Sequence, residues 1–263
     1  EMNSKKIAIR TMIIYVSIMM IGTYIINNIL VYVYNDFEVL ISSLMTQFIA
    51  TLSIIYVVKK FYGWQNVGFN KIRFRNLIWF VPYIFLIVYM IYNFSENIYL
   101  KYASFDSYTW TTLITIFIGT LLVGFSEEVI FRGILLNSLK SEKSILKAMV
   151  LSSIGFSIIH ILNVFVGKSL VEVCIQIIET IILGLSFASL AIKLNNIWPN
   201  IIFHSVWNFI LISSNVIGSS VPTSSVICTP LNIIIGTILC ASIIKYEKNN
   251  IKTYEDLSTE NIR

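Results

Sequence analysis

Residues 109–132 read TWTTLITIFIGTLLVGFSEEVIFR. The first 18 carry no charge, and then two adjacent acids and an arginine follow without any break in the apolar pattern. An α-helix needs roughly 20 mostly apolar residues to cross the hydrocarbon layer of a bilayer. The run is continuous rather than alternating and too long for a barrel strand, so it reads as a membrane helix with ionisable groups near its end.

The same pattern recurs along the chain. Of 263 residues, 56% are hydrophobic and only 13% charged, against about 25% charged in an ordinary soluble domain. The mean hydropathy of +0.78 agrees. Such a chain has too little polar surface to remain in water. Eight stretches have spanning length: 7–33, 37–58, 77–94, 109–131, 146–166, 170–192, 197–217 and 226–244. The expectation is an all-α polytopic membrane protein of about eight transmembrane helices. The first run exceeds a signal-peptide core and shows no small-residue cleavage site, so it reads as a retained span. Cys174, Cys228 and Cys240 lie in apolar runs without metal-ligand spacing and read as small buried residues.

Basic residues set the orientation of such helices. With eight spans, all of the 19 Lys and Arg except Lys101 and Lys168 fall on one side. That side includes Lys5, Lys6 and Arg10, the loop with Lys59, Lys60, Lys71, Arg73 and Arg75, and then Lys140, Lys143, Lys147, Lys193 and Arg263. Both termini are therefore expected in the cytoplasm. The basic, aromatic loop 59–76 is expected partly in the membrane interface, the outer loop 95–108 to hold a short helix, and the tail 246–263 to be polar and mobile. The chain reads as one membrane domain: spans one to three over 1–108, a core of spans four to seven over 109–211, span eight over 212–245, and the tail. Abundant Ile, with Asn and Lys outnumbering Ala and Arg, points to an AT-rich, bacterial source and to a multi-pass protein of its plasma membrane.

Ionisable groups inside spans are costly and by default mark function. Three clusters occur, all in the second half. In the first, Glu128 and Arg132 are four apart and share a helix face, while Glu127 points about 100° away. One carboxylate is thus held by arginine and the other is available as a general base. The second is Phe156 and His160 on one face, with Asn163 a turn later. The third is His204 and Asn208, four apart, after Trp198-Pro199. Singly, each admits a plainer reading: an ion pair at a helix end, a satisfied core histidine, or helix–helix hydrogen bonding. Together they converge. At 1.5 Å per residue, Glu127, His160 and His204 lie roughly 15, 18 and 10 Å from the cytoplasmic ends of their spans, so one cavity open toward the cytoplasm would hold all three. Glu172, Gln176 and Glu179 form a weaker stripe on one face of span six, read as a cavity wall or structural hydrogen bonding, with substrate contact by Glu179 as the alternative.

At these residues the sequence resembles the CAAX protease and bacteriocin-processing (CPBP, or Abi) family of intramembrane peptidases. Its pattern is Glu-Glu-x-x-x-Arg, then Phe-x-x-x-His, then His-x-x-x-Asn or Asp on successive helices. Glu127, Glu128 and Arg132 match the first motif, Phe156 and His160 the second, His204 and Asn208 the third. The resemblance covers about 109–211. It implies a peptidase cleaving within or beside the bilayer. Glu127 would activate water, Glu128 would be held by Arg132, His160 would position the water, and His204 with Asn208 would bind the oxyanion. The two glutamates could exchange roles.

Glu, His and His could also bind zinc with an open position. The His-Glu-x-x-His motif is absent, and an arginine beside the carboxylates disfavours a cation, so metal-independent glutamate chemistry with no cofactor is the expectation and zinc the alternative. Membrane lipids and a peptide or lipopeptide substrate are the expected partners, with precursor peptides fitting a bacterial source better than prenylated tails. No nucleic-acid partner is expected, and the oligomeric state stays open. A non-catalytic bacteriocin-immunity or scaffold protein of the same fold, and a transporter relaying protons through its buried acids, are the competing functions. No inverted repeat supports the transporter.

Overall fold

The computed structural model describes residues 4–32, 36–140, 144–219 and 225–260. Lys143 and Arg263, both expected on the cytoplasmic side, lie outside them. Nine α-helices occur among the described residues: α1 (Ser4–Asn28), α2 (Asp36–Val57), α3 (Val81–Lys101), α4 (Ser107–Glu128), α5 (Leu136–Lys140), α6 (Ile145–Ile158), α7 (Leu170–Leu194), α8 (Trp198–Val216) and α9 (Ser225–Glu260). Apart from one isolated bridge between Phe69 and Asn196, they contain no β-structure.

Seven helical stretches are long and apolar enough to cross a membrane: Ser4–Tyr32, Asp36–Tyr62, Phe74–Ser104, Ser107–Lys140, Ile145–Phe165, Leu170–Leu194 and Val226–Glu247. They form a polytopic membrane protein. Large apolar side chains such as Ile13, Leu52, Phe85, Ile114, Ile178 and Ile234 remain exposed around the bundle, as hydrocarbon solvent requires. The eighth expected span, 197–217, corresponds to α8, which is less apolar than the seven. Its Asn200, His204, Ser205, Ser213 and Ser214 are buried against neighbouring helices instead of facing lipid.

Two spans are less regular than expected. The run through the glutamates extends to Lys140, with a π-helical stretch Val129–Leu135 between α4 and α5. The span with His160 changes at Ile159 from α-helix to a 3₁₀ segment, Ile159–Val166, closed by Gly167 at φ +88°. π-Turns and mid-span 3₁₀ stretches commonly mark functional positions. Other expectations shift at their edges. α3 runs on to Lys101 and ends in one 3₁₀ turn, so loop 95–108 holds no separate helix. The tail expected to be mobile continues as helix to Glu260. Loop 59–76 folds back on the bundle. Its Trp64 and Phe69 pack with Phe125 and Trp198, and the Ile197 N–H donates to the Gly68 carbonyl.

Helix α4 packs against α8 and α2, α6 against α7, α7 against α9, and α1 against α2. Small residues bring the site-bearing helices close. A Cβ on Gly124 would lie 3.0 Å from the Ser205 backbone nitrogen and 3.1 Å from the Ile201 carbonyl oxygen, so only glycine lets α4 meet α8 at this distance. Gly184 likewise admits Ser153, seating α6 on α7. Outside the spans, Asp106 caps α4. Its carboxylate accepts the Thr109 N–H at 2.8 Å and the Thr109 hydroxyl at 2.7 Å, which holds its pKa below the ordinary carboxylate value.

Candidate active site

The site begins where α4 becomes the π-stretch. Glu127 is 8% exposed, Glu128 0% and Arg132 1%. Arg132 Nη1 donates to Glu128 Oε1 at 2.9 Å with both side chains fully buried. The guanidinium is wedged over the Phe156 ring, its Cζ 4.1 Å from the centroid, with Phe187 at 5.5 Å. Two aromatic faces and one carboxylate thus offset the cost of burying a cation. Glu127 takes no part in this pairing. Its Oε2 is buried and has no hydrogen-bond partner among the described residues.

His204, on α8, stands between the two glutamates. Its Nδ1 lies 3.2 Å from Glu128 Oε1, and its Nε2 lies 3.7 Å from Glu127 Oε2. The first distance is a hydrogen bond. The second is too long for one but close enough for a charge to be felt. A single carboxylate oxygen of Glu128 therefore accepts from Arg132 and meets His204, fixing the imidazole as it fixes the arginine. Phe156 stacks edge-on against both histidines, with ring centroids 5.4 Å from His160 and 5.9 Å from His204. His160, in the 3₁₀ segment, has a buried Nε2 with no partner among the described residues.

Glu127 and His160 line one cleft of about 120 Å³, together with Ile159, Leu162 and Asn163 and, from α1, Tyr15, Val16, Met19 and Thr23. The α1 wall was not expected, because α1 carries no acidic or basic residue between Arg10 and its end. Tyr15 is buried, and its hydroxyl lies 3.5 Å from Ser126 Oγ, which also accepts from Gln47 Nε2 at 2.7 Å. Gln47 was a legible signal, as an amide inside an apolar span. Tyr15 was not, since tyrosine is ordinary there. The cleft also differs from the expected cytoplasm-facing cavity. From Tyr15 to Thr23 and from Ile159 to Asn163, its walls run from Glu127 toward the Lys168 end, away from the basic one.

Not every candidate is gathered there. Asn163 lines the cleft and donates to Gln176 Oε1 at 2.8 Å, an acceptor shared with Lys168. Phe156 lies behind the histidines. Asn208 is half-buried one turn beyond His204 and is not a wall of the cleft. The stripe on α7 splits by role. Glu172 closes a capping box with Ser169, Gln176 binds Asn163, and Glu179 is exposed and away from the cleft walls. Substrate contact by Glu179 is therefore not what this arrangement offers. Among the described residues no group of three or more His, Cys, Asp and Glu is placed to hold a metal ion.

A buried carboxylate with an open oxygen, beside two imidazoles in a walled cleft, can take a proton from water and stabilise developing charge. Residues 109–210 match the family model described as type II CAAX prenyl endopeptidase Rce1-like. The matched segment is similar to CAAX-type proteases. It begins just inside α4, ends within α8, and so contains every residue of the three motifs. The CAAX-protease match supports an intramembrane endopeptidase and, in general terms, a hydrolase. No curated protein matches the chain. Helices α1, α2, α3 and α9 lie outside the matched segment, although α1 supplies nearly half the cleft wall.

Proposed function

We propose that the protein hydrolyses a peptide bond of a membrane-associated peptide or lipopeptide with water activated by Glu127. One observation carries this reading. Of two adjacent buried carboxylates, Glu128 is held through Oε1 by Arg132 and His204, whereas Glu127 is hydrogen-bonded to neither and lines the cleft together with His160. Glu127 accepts a proton as the water oxygen bonds to the scissile carbonyl carbon. The resulting oxyanion takes hydrogen bonds from the imidazole of His204, with Asn208 one turn away. The proton then passes to the departing amine as the C–N bond breaks. His160 orients the water. Glu128 and Arg132 act on His204 as positioning residues.

The chemistry is metal-independent in this proposal. Arg132 already neutralises one carboxylate, and His204 Nδ1 is turned to Glu128 and not to an open coordination position. Chelators should leave turnover unchanged, whereas loss of activity in chelator with recovery on added zinc would move the assignment to the zinc alternative. A bacterial plasma membrane and a peptide-precursor substrate complete the proposal.

The decisive experiment compares membrane peptides by mass spectrometry in cells carrying wild type or Glu127→Ala, at equal amounts of inserted protein. Loss of a general base costs about 10²–10⁴ in rate, so one defined product should disappear. An unchanged peptide profile would remove Glu127 from the reaction.

A further inference from the structure

On the side of Arg132 away from the cleft lies a second cavity of about 330 Å³. It sits at the basic end of the bundle. Arg132, Asn137 and Lys140 line it from the span that carries the glutamates, Arg73 and Asn70 from the folded loop, and Asn195 from the end of α7. Among the described residues it has no acidic wall residue. Lys140 Nζ donates to a neutral acceptor, Asn137 Oδ1, at 3.0 Å, and among the described residues neither Lys140 nor Arg73 is in an ion pair. Arg132 is 1% exposed and uses only Nη1 on Glu128. Its Nε and Nη2 are buried and have no hydrogen-bond partner among the described residues. A buried guanidinium edge without an acceptor is costly, and Arg132 is a wall residue of a polar cavity that also has two further cations in its lining.

We infer that this cavity is a binding site for a phosphate group, held by Arg73, Lys140 and the open Nε/Nη2 edge of Arg132. The donor set fits a tetrahedral oxyanion better than a carboxylate. A guanidinium edge presents two parallel N–H groups, and Lys140 and Arg73 add charge from the rim, so several phosphate oxygens are met at once. The location fits as well. Anionic headgroups collect at the cytoplasmic surface, where the positive-inside pattern puts this end of the bundle. The phosphate has two possible sources, a lipid headgroup and free phosphate, which share one chemistry. An occupant would touch the residue that clamps Glu128, and Glu128 in turn holds His204. Binding at the membrane surface would thereby brace the cleft from behind.

The site is testable without any substrate, so its fate is separate from that of the peptidase reading. Full-length protein in neutral detergent is titrated with inorganic phosphate and, separately, with micelles containing a phosphatidylglycerol-type lipid against a phosphatidylcholine-type control. Thermal unfolding and native mass spectrometry are the readouts. Phosphate or the anionic lipid should raise the unfolding temperature, and the effect should fall as salt rises. Arg73→Gln and Lys140→Gln, single exposed-rim changes that leave Arg132 intact, should each weaken binding about tenfold, the usual consequence of losing one charge-assisted hydrogen bond. Protection by free phosphate identifies a soluble ligand. Protection by the anionic lipid alone identifies a headgroup. Protection equal to that given by acetate or the zwitterionic lipid, or an affinity unchanged in both variants, overturns the site.

Discussion

At the scale of single residues, Glu128 is held from two sides. It is fully buried, bonded to Arg132 at 2.9 Å and to His204 at 3.2 Å, and its remaining oxygen has no partner among the described residues. A buried ion pair is weak evidence for stability, but removing one partner is severe because the other charge stays behind. Arg132→Met should therefore lower unfolding stability by about 3–5 kcal/mol. The paired change Glu128→Gln with Arg132→Met should recover most of that loss, because no uncompensated charge remains. Thermal or denaturant unfolding in detergent measures both. Neither variant should turn over substrate, since the double variant loses the carboxylate that orients His204 and the single variant loses the arginine that fixes that carboxylate. A single variant as stable as wild type would mean that the carboxylate is hydrated or protonated and that Arg132 does not clamp it.

At the scale of elements, the glycine–serine contact between α4 and α8 sets the distance from Glu127 to His204. A Cβ on Gly124 would meet Ser205 Oγ, which can move, and also the Ser205 nitrogen at 3.0 Å and the Ile201 oxygen at 3.1 Å, which cannot. Gly124→Ala should cost about 1–3 kcal/mol and reduce turnover by more than its effect on folding, since it spreads the two helices that carry the site. Adding Ser205→Ala should restore only part of this, because the backbone contacts persist. Gly119→Ala, about one and a half turns away on the same helix, meets only Leu44 Cδ1 at 3.8 Å and should be neutral or slightly stabilising. The contrast isolates close approach from helix propensity. It also shows where sequence reading stops. The apolar runs announced α4, α6 and α8, and the four-residue spacings placed Glu128 with Arg132 and Phe156 with His160. The π-stretch Val129–Leu135 and the 3₁₀ segment Ile159–Val166 were illegible, since residues such as Ile, Leu and Phe are common to all three helix types and tertiary packing decides among them. The α1 wall was illegible for a related reason. Val16 and Met19 read as lipid-facing until the fold turns one face of α1 inward. Glu179 shows the reverse error: a face defined by spacing need not be the inward one.

At the scale of the whole molecule, α8 poses the sharpest question, because it carries His204 and matches the expected span 197–217 yet is less apolar than the other seven. Its two ends answer it. At one end, Asn76 Nδ2 donates to the Lys193 carbonyl at 2.7 Å and the Arg73 N–H to the Leu194 carbonyl at 3.0 Å, tying the start of the α3 span to the turn just before α8. At the other end, Lys101 Nζ donates to the Ile217 and Gly218 carbonyls at 3.0 and 2.7 Å, tying the finish of α3 to the finish of α8. Two helices joined at both ends cover the same thickness, so α8 crosses wherever α3 does. Its polar groups are sheltered by α4 and α7, which is why hydropathy understates it. The prediction is therefore eight crossings, with Lys101 and Lys168 separated from the other cations. The check is cysteine labelling with a membrane-impermeant reagent in a background lacking Cys174, Cys228 and Cys240. Lys71→Cys should react from one face only, and Lys168→Cys and Ser219→Cys from the opposite face. If Ser219→Cys labelled together with Lys71→Cys, α8 would not traverse the bilayer. His204 would then reach Glu127 from a re-entrant segment, and the inside-positive partition that orients the phosphate cavity would have to be redrawn.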